Sequence, residues 1–177
     1  MRTDQPVTIR RQDYTPPGFL VDRIDLEFDL DPQATQVCST MQIRRASAAQ
    51  PLILNGEQLT LVDLRLDGRR LDPSSYRVDD ETLQIAEVPE RFTLTVITRI
   101  APASNSSLMG LYVSGGNYFT QCEAEGFRRI TWFPDRPDVM ARYRVTLRAP
   151  RDACPVLLSN GNLVASGDCD AGSAGAA

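Results

Sequence analysis

Two acids and one amide recur at every second position of the stretch from Thr120 to Gly126, which reads TQCEAEG. In a β-strand successive side chains point to opposite faces, so Gln121, Glu123 and Glu125 are predicted to share one face. Neighbouring positions on that face lie roughly 6.5–7 Å apart. Two carboxylates at that spacing repel each other unless water or a cation lies between them. The stretch therefore predicts either a solvated strand face or a row of carboxylates that binds a cationic ligand.

The segments around this stretch alternate between apolar and polar residues, which is the pattern of half-buried β-strands. From Phe19 to Leu30, apolar residues occupy every second position except Asp22. Asp67-Gly68 and Gly115-Gly116 are hairpin signals, because tight hairpin turns need positive φ. Further strands are predicted at 34–45, 51–54, 59–66, 69–71, 76–78, 82–85, 92–100, 111–114, 117–123, 142–147, 156–159 and 163–165.

The spacing of these strands predicts the fold class. They follow one another every ~8–12 residues with turn signals between them, and the sequence has no helical period. This pattern is typical of an all-β sandwich or saddle. Residues 1–167 are expected to form one such domain. The last residues, 168–177, read DCDAGSAGAA and are too small and polar to pack a core, so a flexible tail is expected there.

Composition excludes several classes of function. The chain has 177 residues, 42% of them hydrophobic, and a formal net charge of −4, so a nucleic-acid partner is not expected. No run of ~18 apolar residues is present, so no membrane span is expected. The first five residues, MRTDQ, have no apolar stretch after the arginine, so no secretory signal is expected. A cytoplasmic protein is the expectation. The four cysteines show no C-x-x-C spacing and are expected to be free thiols.

A longer block around the acids carries a specific resemblance. Thr120 to Val139 reads TQCEAEGFRRITWFPDRPDV and resembles the signature near the end of the N-terminal domain of the bacterial aminopeptidase N family, which are zinc metallo-aminopeptidases of the gluzincin type. Shorter segments similar to the family occur in the same order along the rest of the chain. They are Arg11 to Tyr14, Ile24 to Leu30, Leu54 to Glu57, Pro89 to Leu94, Gly110 to Tyr112 and Leu158 to Asn162.

The resemblance implies a fold, a partner and two site residues. The domain is expected to be a curved, mostly antiparallel β-sandwich or saddle that rests on a thermolysin-like catalytic domain of the same protein and caps its active site. Glu123 matches the family acid that binds the free α-ammonium of a peptide substrate. Gln121 matches the residue that lines the pocket for the first side chain. The resemblance implies no role for Glu125.

The family's catalytic motifs do not occur in these 177 residues. The family binds zinc through a His-Glu-x-x-His helix and a downstream Glu, and it grips the peptide with a Gly-x-Met-Glu-Asn loop. This chain contains no histidine and neither motif. Zinc is therefore expected in the parent enzyme and not in this fragment, which should have no catalytic residue and no activity alone.

Two other classes of function remain open from the residues. A freestanding β-sandwich that binds a protein or a carbohydrate would need an exposed aromatic platform, for which Trp132 with Phe133, or Tyr112 with Tyr118, are the candidates. The alternative for these aromatics is core packing. A hydrolase that uses an acid pair is also conceivable, but two acids on a flat strand lack a cleft.

Overall fold

The computed structural model describes residues 10–47 and 50–169, and the regular structure within them is almost entirely strand. The only helical segments described are three-residue 3₁₀ turns. The strands are β1 (Phe19–Asp29), β2 (Thr35–Arg45), β3 (Leu52–Asn55), β4 (Thr60–Leu66), β5 (Arg69–Arg70), β6 (Tyr76–Val78), β7 (Thr82–Ile85), β8 (Arg91–Ile100), β9 (Gly110–Ser114), β10 (Asn117–Gln121) and β11 (Arg142–Arg148). The predicted all-β class is confirmed.

The strands form three sheets. Six strands make the largest sheet in the order β11-β1-β2-β8-β4-β5, three make a second in the order β3-β7-β6, and β9 with β10 form a hairpin. Every described pairing is antiparallel except that of β1 with β11, which is parallel. All the other described strands lie between β1 and β11 in the sequence, so the first and the last of the described strands lie side by side.

A β-bulge explains why the first strand departs from strict alternation. Phe19 and Val21 are buried, but the next buried side chain is Ile24, three positions later. The register of β1 against β2 shifts between Val21 and Arg23 at that point. A bulge inserts one extra residue, so the inward face moves by one position and the polar residue Asp22 stays exposed.

The core lies between the inward face of the large sheet and the smaller sheet with its neighbouring loops. Trp132 and Phe133 are 2% and 3% exposed and belong to this core, so they offer no surface platform. The indole of Trp132 lies against Gly56, where an added Cβ would come within 2.1 Å of the ring. Asn55 and Phe133 form an isolated antiparallel bridge. The end of β3 is therefore joined to the chain that follows the candidate acids.

The two strands predicted after residue 155 are not present, since residues 155–169 are exposed and carry no strand. Val156, Leu158, Leu163 and Val164 alternate or cluster as strand residues do, yet each is 70–85% exposed. A strand needs a partner for its backbone groups, and sequence alternation supplies none. Of the predicted tail, residues 168 and 169 are exposed, whereas 170–177 lie outside the described residues. None of the described helices is long and apolar enough to cross a membrane.

Candidate functional site

The acids lie in a turn and not on a strand. β10 ends at Gln121, and residues 123–126 form a turn that leads into the 3₁₀ turn Phe127–Arg129. The Glu123–Ala124 peptide bond is cis, and Glu125 has φ of +64°. The prediction of a strand through Glu123, with three polar side chains on one face, is therefore wrong beyond Gln121. Glu123 and Glu125 instead project from a reversal of the chain.

Local hydrogen bonds bring Gln121 and Glu123 together. The Gln121 amide Nε2 donates to the backbone carbonyl of Glu123 at 2.7 Å. Across the same turn, the backbone N–H of Gly126 donates to the carbonyl of Cys122 at 2.8 Å. Gly126 approaches the end of the strand so closely that a Cβ would lie 2.4 Å from the Gln121 carbonyl oxygen. The two residues predicted as a site are thus held in one compact unit.

The two carboxylates of the turn differ in their partners. Glu125 forms an ion pair with Arg128, with 3.3 Å between Oε1 and Nη2. Glu123 is exposed, and among the described residues no cationic side chain lies within ion-pair distance of it. Glu123, the acid with a role implied by the family resemblance, is therefore the one available to bind a cationic ligand.

Arg128 connects the turn to the body of the domain. Its Nε donates to Asp135 Oδ2 at 3.0 Å, its Nη2 donates to the Asp135 carbonyl at 3.0 Å, and its backbone N–H donates to Asp135 Oδ2 at 3.1 Å. Asp135 in turn donates its backbone N–H to Asn55 Oδ1 at 3.1 Å. The chain of contacts therefore runs from Glu125 through Arg128 to the end of β3.

Arg129 fastens the same 3₁₀ turn on its other side. Its guanidinium bonds to the side chains of Glu57 and Gln58, the latter at 2.7 Å. The backbone N–H of Glu57 donates to the Arg128 carbonyl at 2.9 Å. Sequence reasoning missed both arginines and Asp135. Two adjacent arginines shortly before the PDRPD segment were the available signal, because buried guanidinium groups need carboxylate partners.

An apolar groove of about 820 Å³ borders the turn. Cys122, Phe127 and Tyr143 are among the side chains that line it, and Phe127 packs edge-on against Phe133 and Tyr143. Burial raises the pKa of the Cys122 thiol from its ordinary 9.0 to about 11, and the nearby Asp135 carboxylate adds to the rise. The thiol is therefore neutral near pH 7 and serves as packing.

Comparison with known proteins places the chain in a family. The family model described as the Peptidase M1 N-terminal domain matches residues 14–175. The chain belongs to the M1 peptidase N-terminal domain family. This finding confirms the resemblance seen in the sequence. Aminopeptidase N of Caulobacter vibrioides is 52% identical over 173 residues, and that of Escherichia coli is 45% identical over 171 residues.

These relatives are much longer than the M1 domain described here. The alignments cover 97% and 96% of this chain but only 20% and 19% of the two relatives, so the chain spans about a fifth of their length. Legionella pneumophila aminopeptidase A, solved in complex with aspartic acid, is 32% identical with a TM-score of 0.81, over 87% of this chain and 19% of that one. An M1 zinc metallopeptidase from Deinococcus radiodurans shares the fold, with a TM-score of 0.64 at 16% identity over 75% of this chain and 33% of that one.

In the part of the chain that the structure describes, no set of side chains is placed to hold a zinc ion. The sequence has no histidine, and the described residues contain no group of three or more His, Cys, Asp or Glu side chains placed to hold a metal. The cysteines that the structure describes are free and scattered.

Proposed function

We propose that this M1 domain is the N-terminal part of a zinc-dependent aminopeptidase and that Glu123 binds the free α-ammonium of the peptide substrate. The observation that carries the proposal is the exposed Glu123 carboxylate, which has no cationic partner among the described residues although the neighbouring Glu125 has one. It sits on a turn that Arg128 and Arg129 fasten to the core. The name aminopeptidase N of the two relatives supports the substrate class.

A carboxylate in this role accounts for selection of a free amino terminus. The Glu123 carboxylate would pair with the ammonium cation of a free terminus. A bound peptide with a blocked terminus would shield the carboxylate from water and leave it unpaired. At ~4 Å and an effective dielectric constant of ~20 the attraction is about 4 kcal/mol. Desolvation reduces this to a net contribution of roughly 2–3 kcal/mol. Such a contribution is large enough to separate free from acetylated peptides.

The remaining parts of the proposal concern Gln121 and the rest of the polypeptide. Gln121 is exposed at the end of β10, directly before the turn, and would border the pocket for the first side chain of the peptide. The zinc ion and the peptide-bond chemistry would belong to a catalytic domain of the same protein, which this domain would cap. The cytoplasm is the proposed location of the protein.

Replacing Glu123 in the full-length protein tests the proposal. Glu123→Ala is expected to lower kcat/KM on an amino-acid anilide by ~30–150-fold, the rate equivalent of roughly 2–3 kcal/mol. Glu87→Ala is the matched control, because it removes an exposed acid from a loop elsewhere on the domain and should leave kcat/KM unchanged. A value within about threefold of wild type for Glu123→Ala would show that Glu123 is merely a surface acid.

A further inference from the structure

Arg128 contacts both the turn bearing Glu123 and the loop that follows it. Its guanidinium reaches Glu125 at 3.3 Å on the turn and both the side chain and the carbonyl of Asp135 at 3.0 Å on the loop. The side chains of Arg128 and Asp135 are only 21% and 15% exposed, whereas that of Glu125 is 63% exposed. Arg128 is thus bound to the largely buried Asp135 on one side and to the exposed Glu125 of the turn on the other.

We infer that Arg128 is a positioning residue that fixes the Glu123 carboxylate, with Glu125 as its contact on the turn and Asp135 as its contact on the core. This inference rests on the proposed function of Glu123. It also assigns a role to Glu125, which is to be held by Arg128 and not to bind the substrate. Arg128 acts through the backbone of the turn.

The geometry requires an arginine. The Arg128 guanidinium makes two hydrogen bonds to Asp135, from Nε and from Nη2, and the same Nη2 forms the ion pair with Glu125. The planar group presents these donors in a fixed arrangement. A lysine has one compact ammonium group on a flexible stem, so it cannot hold Asp135 and Glu125 in the same relation. The hydrogen bond from the Arg128 backbone N–H to Asp135 does not depend on the side chain of residue 128, so the 3₁₀ turn itself should persist when Arg128 is substituted.

Charge gives Arg128 a second effect on the same turn. Glu123 and Glu125 are two residues apart, and without a cation their carboxylates would repel each other. Arg128 pairs with Glu125, and Glu123 is left as the acid of the turn with no cationic partner among the described residues. A single uncompensated carboxylate matches a ligand with a single positive charge. Removing Arg128 would add a second free acid beside the first and release the turn.

The first test is a double-mutant cycle in the full-length protein. Arg128→Gln is expected to lower kcat/KM on an amino-acid anilide by about tenfold, mainly through a higher KM. In a Glu123→Ala background the same substitution should change kcat/KM by less than about twofold, because Arg128 acts only through Glu123. Arg136→Gln is the matched control, since Arg136 bonds to Asp138 and to the Thr15 carbonyl and not to the turn. Equal losses in both backgrounds would overturn the inference.

A second test uses the present chain and does not depend on catalysis. The Gly126 N–H, which donates to the Cys122 carbonyl, should exchange with deuterium at least about tenfold faster in Arg128→Gln, while amides of the β2–β8 ladder keep their rates. Glu125→Gln, at an exposed position, cuts only the contact on the turn and should give a smaller change in the same direction. An unchanged Gly126 rate in both variants would overturn the positioning role, whereas a neutral Glu123→Ala with faster exchange would refute the proposed function alone.

Discussion

At the scale of single residues, the Cys122 thiol reports how tightly the base of the candidate turn is packed. It follows the last residue of β10, packs against the hydrophobic core and lines the apolar groove. Burial disfavours its thiolate, so its pKa rises to about 11. Titration of the Cys122 thiol therefore reports on the packing beside Glu123 without any substrate.

Alkaline pH should destabilise the domain through Cys122. The folded state keeps a proton that the unfolded chain releases near the ordinary thiol pKa of 9.0, so stability is lost as pH rises from about 9 towards 11. The free energy of unfolding of wild type is expected to fall towards that of Cys122→Ala over this range. Denaturant titrations at pH 8, 9 and 10.5 measure it. Cys169→Ala, which removes an exposed thiol, is the control, and a pH-independent gap between wild type and Cys122→Ala would contradict the prediction.

Residue types identified the candidate site, but local pattern could not give its conformation. Gln121 and Glu123 were found from their chemistry and their family block, and the structure brings them together through a hydrogen bond. Their alternation with Cys122 and Ala124 looked like a strand because no Gly or Pro interrupts 120–125. Glu125 has a positive φ, which is uncommon for a residue other than glycine, and no residue type in the sequence signals it.

At the scale of elements, the connection between β10 and the following 3₁₀ turn depends on a glycine for space rather than for φ. Gly126 has an ordinary φ of −90°, yet an added Cβ would lie 2.4 Å from the Gln121 carbonyl oxygen and 2.8 Å from the Cys122 Cα. Both neighbours are backbone atoms, so neither can yield as a flexible side chain would. The turn can close only if this position lacks a side chain.

Gly126→Ala should therefore destabilise the domain by about 1–3 kcal/mol, the usual cost of forcing extra volume into a packed site. Urea titration of the purified chain measures the change. Gly167→Ala is the matched control, because nothing lies within 4 Å of its added Cβ and its φ is not in the left-handed region. Equal stabilities for the two variants would show that the turn is looser than the structure indicates.

Most strands could be predicted from the sequence because each carries its own alternation and its own turn signals. The bulge in β1 was visible as a break at Asp22, although its register shift was not. The parallel partner of β1 could not be predicted, since pairing between distant segments leaves no local trace. The prediction of strands at 156–159 and 163–165 was wrong for the opposite reason. The local alternation was present, but these segments have no partner strand in the described residues.

At the scale of the whole molecule, the ordered sheets end with β11. The residues from 155 to 169 are exposed, and the ion pair between Arg151 and Asp168 is a surface contact of little energetic value. Residues 155–169 therefore contribute little to stability. β11, in contrast, pairs with the edge of β1, and its Val145 and Leu147 pack against the core.

Two truncations distinguish these contributions. A chain that ends at residue 154 should keep its melting temperature to within about 2–4 °C, the shift that 1 kcal/mol causes in a domain of this size. A chain that ends at residue 141 loses β11 and should melt about 6–12 °C lower, the equivalent of roughly 3 kcal/mol of lost apolar burial. Thermal unfolding followed by circular dichroism measures both. If the shorter truncation melted as far below wild type as the longer one, residues 155–177 would be part of the folded core.

Because β1 pairs with β11, one edge of β1 stays unpaired until the end of the domain has been synthesised. Arg148 bonds to Glu27 across 121 residues of sequence, so β1 leaves the ribosome long before the strand that covers its edge. At ~5–20 residues per second, translation of that interval takes roughly 6–24 s. Throughout this time the backbone groups along one side of β1 are open to other chains. The nascent chain is therefore open to wrong pairing along this edge of β1 until β11 has been made.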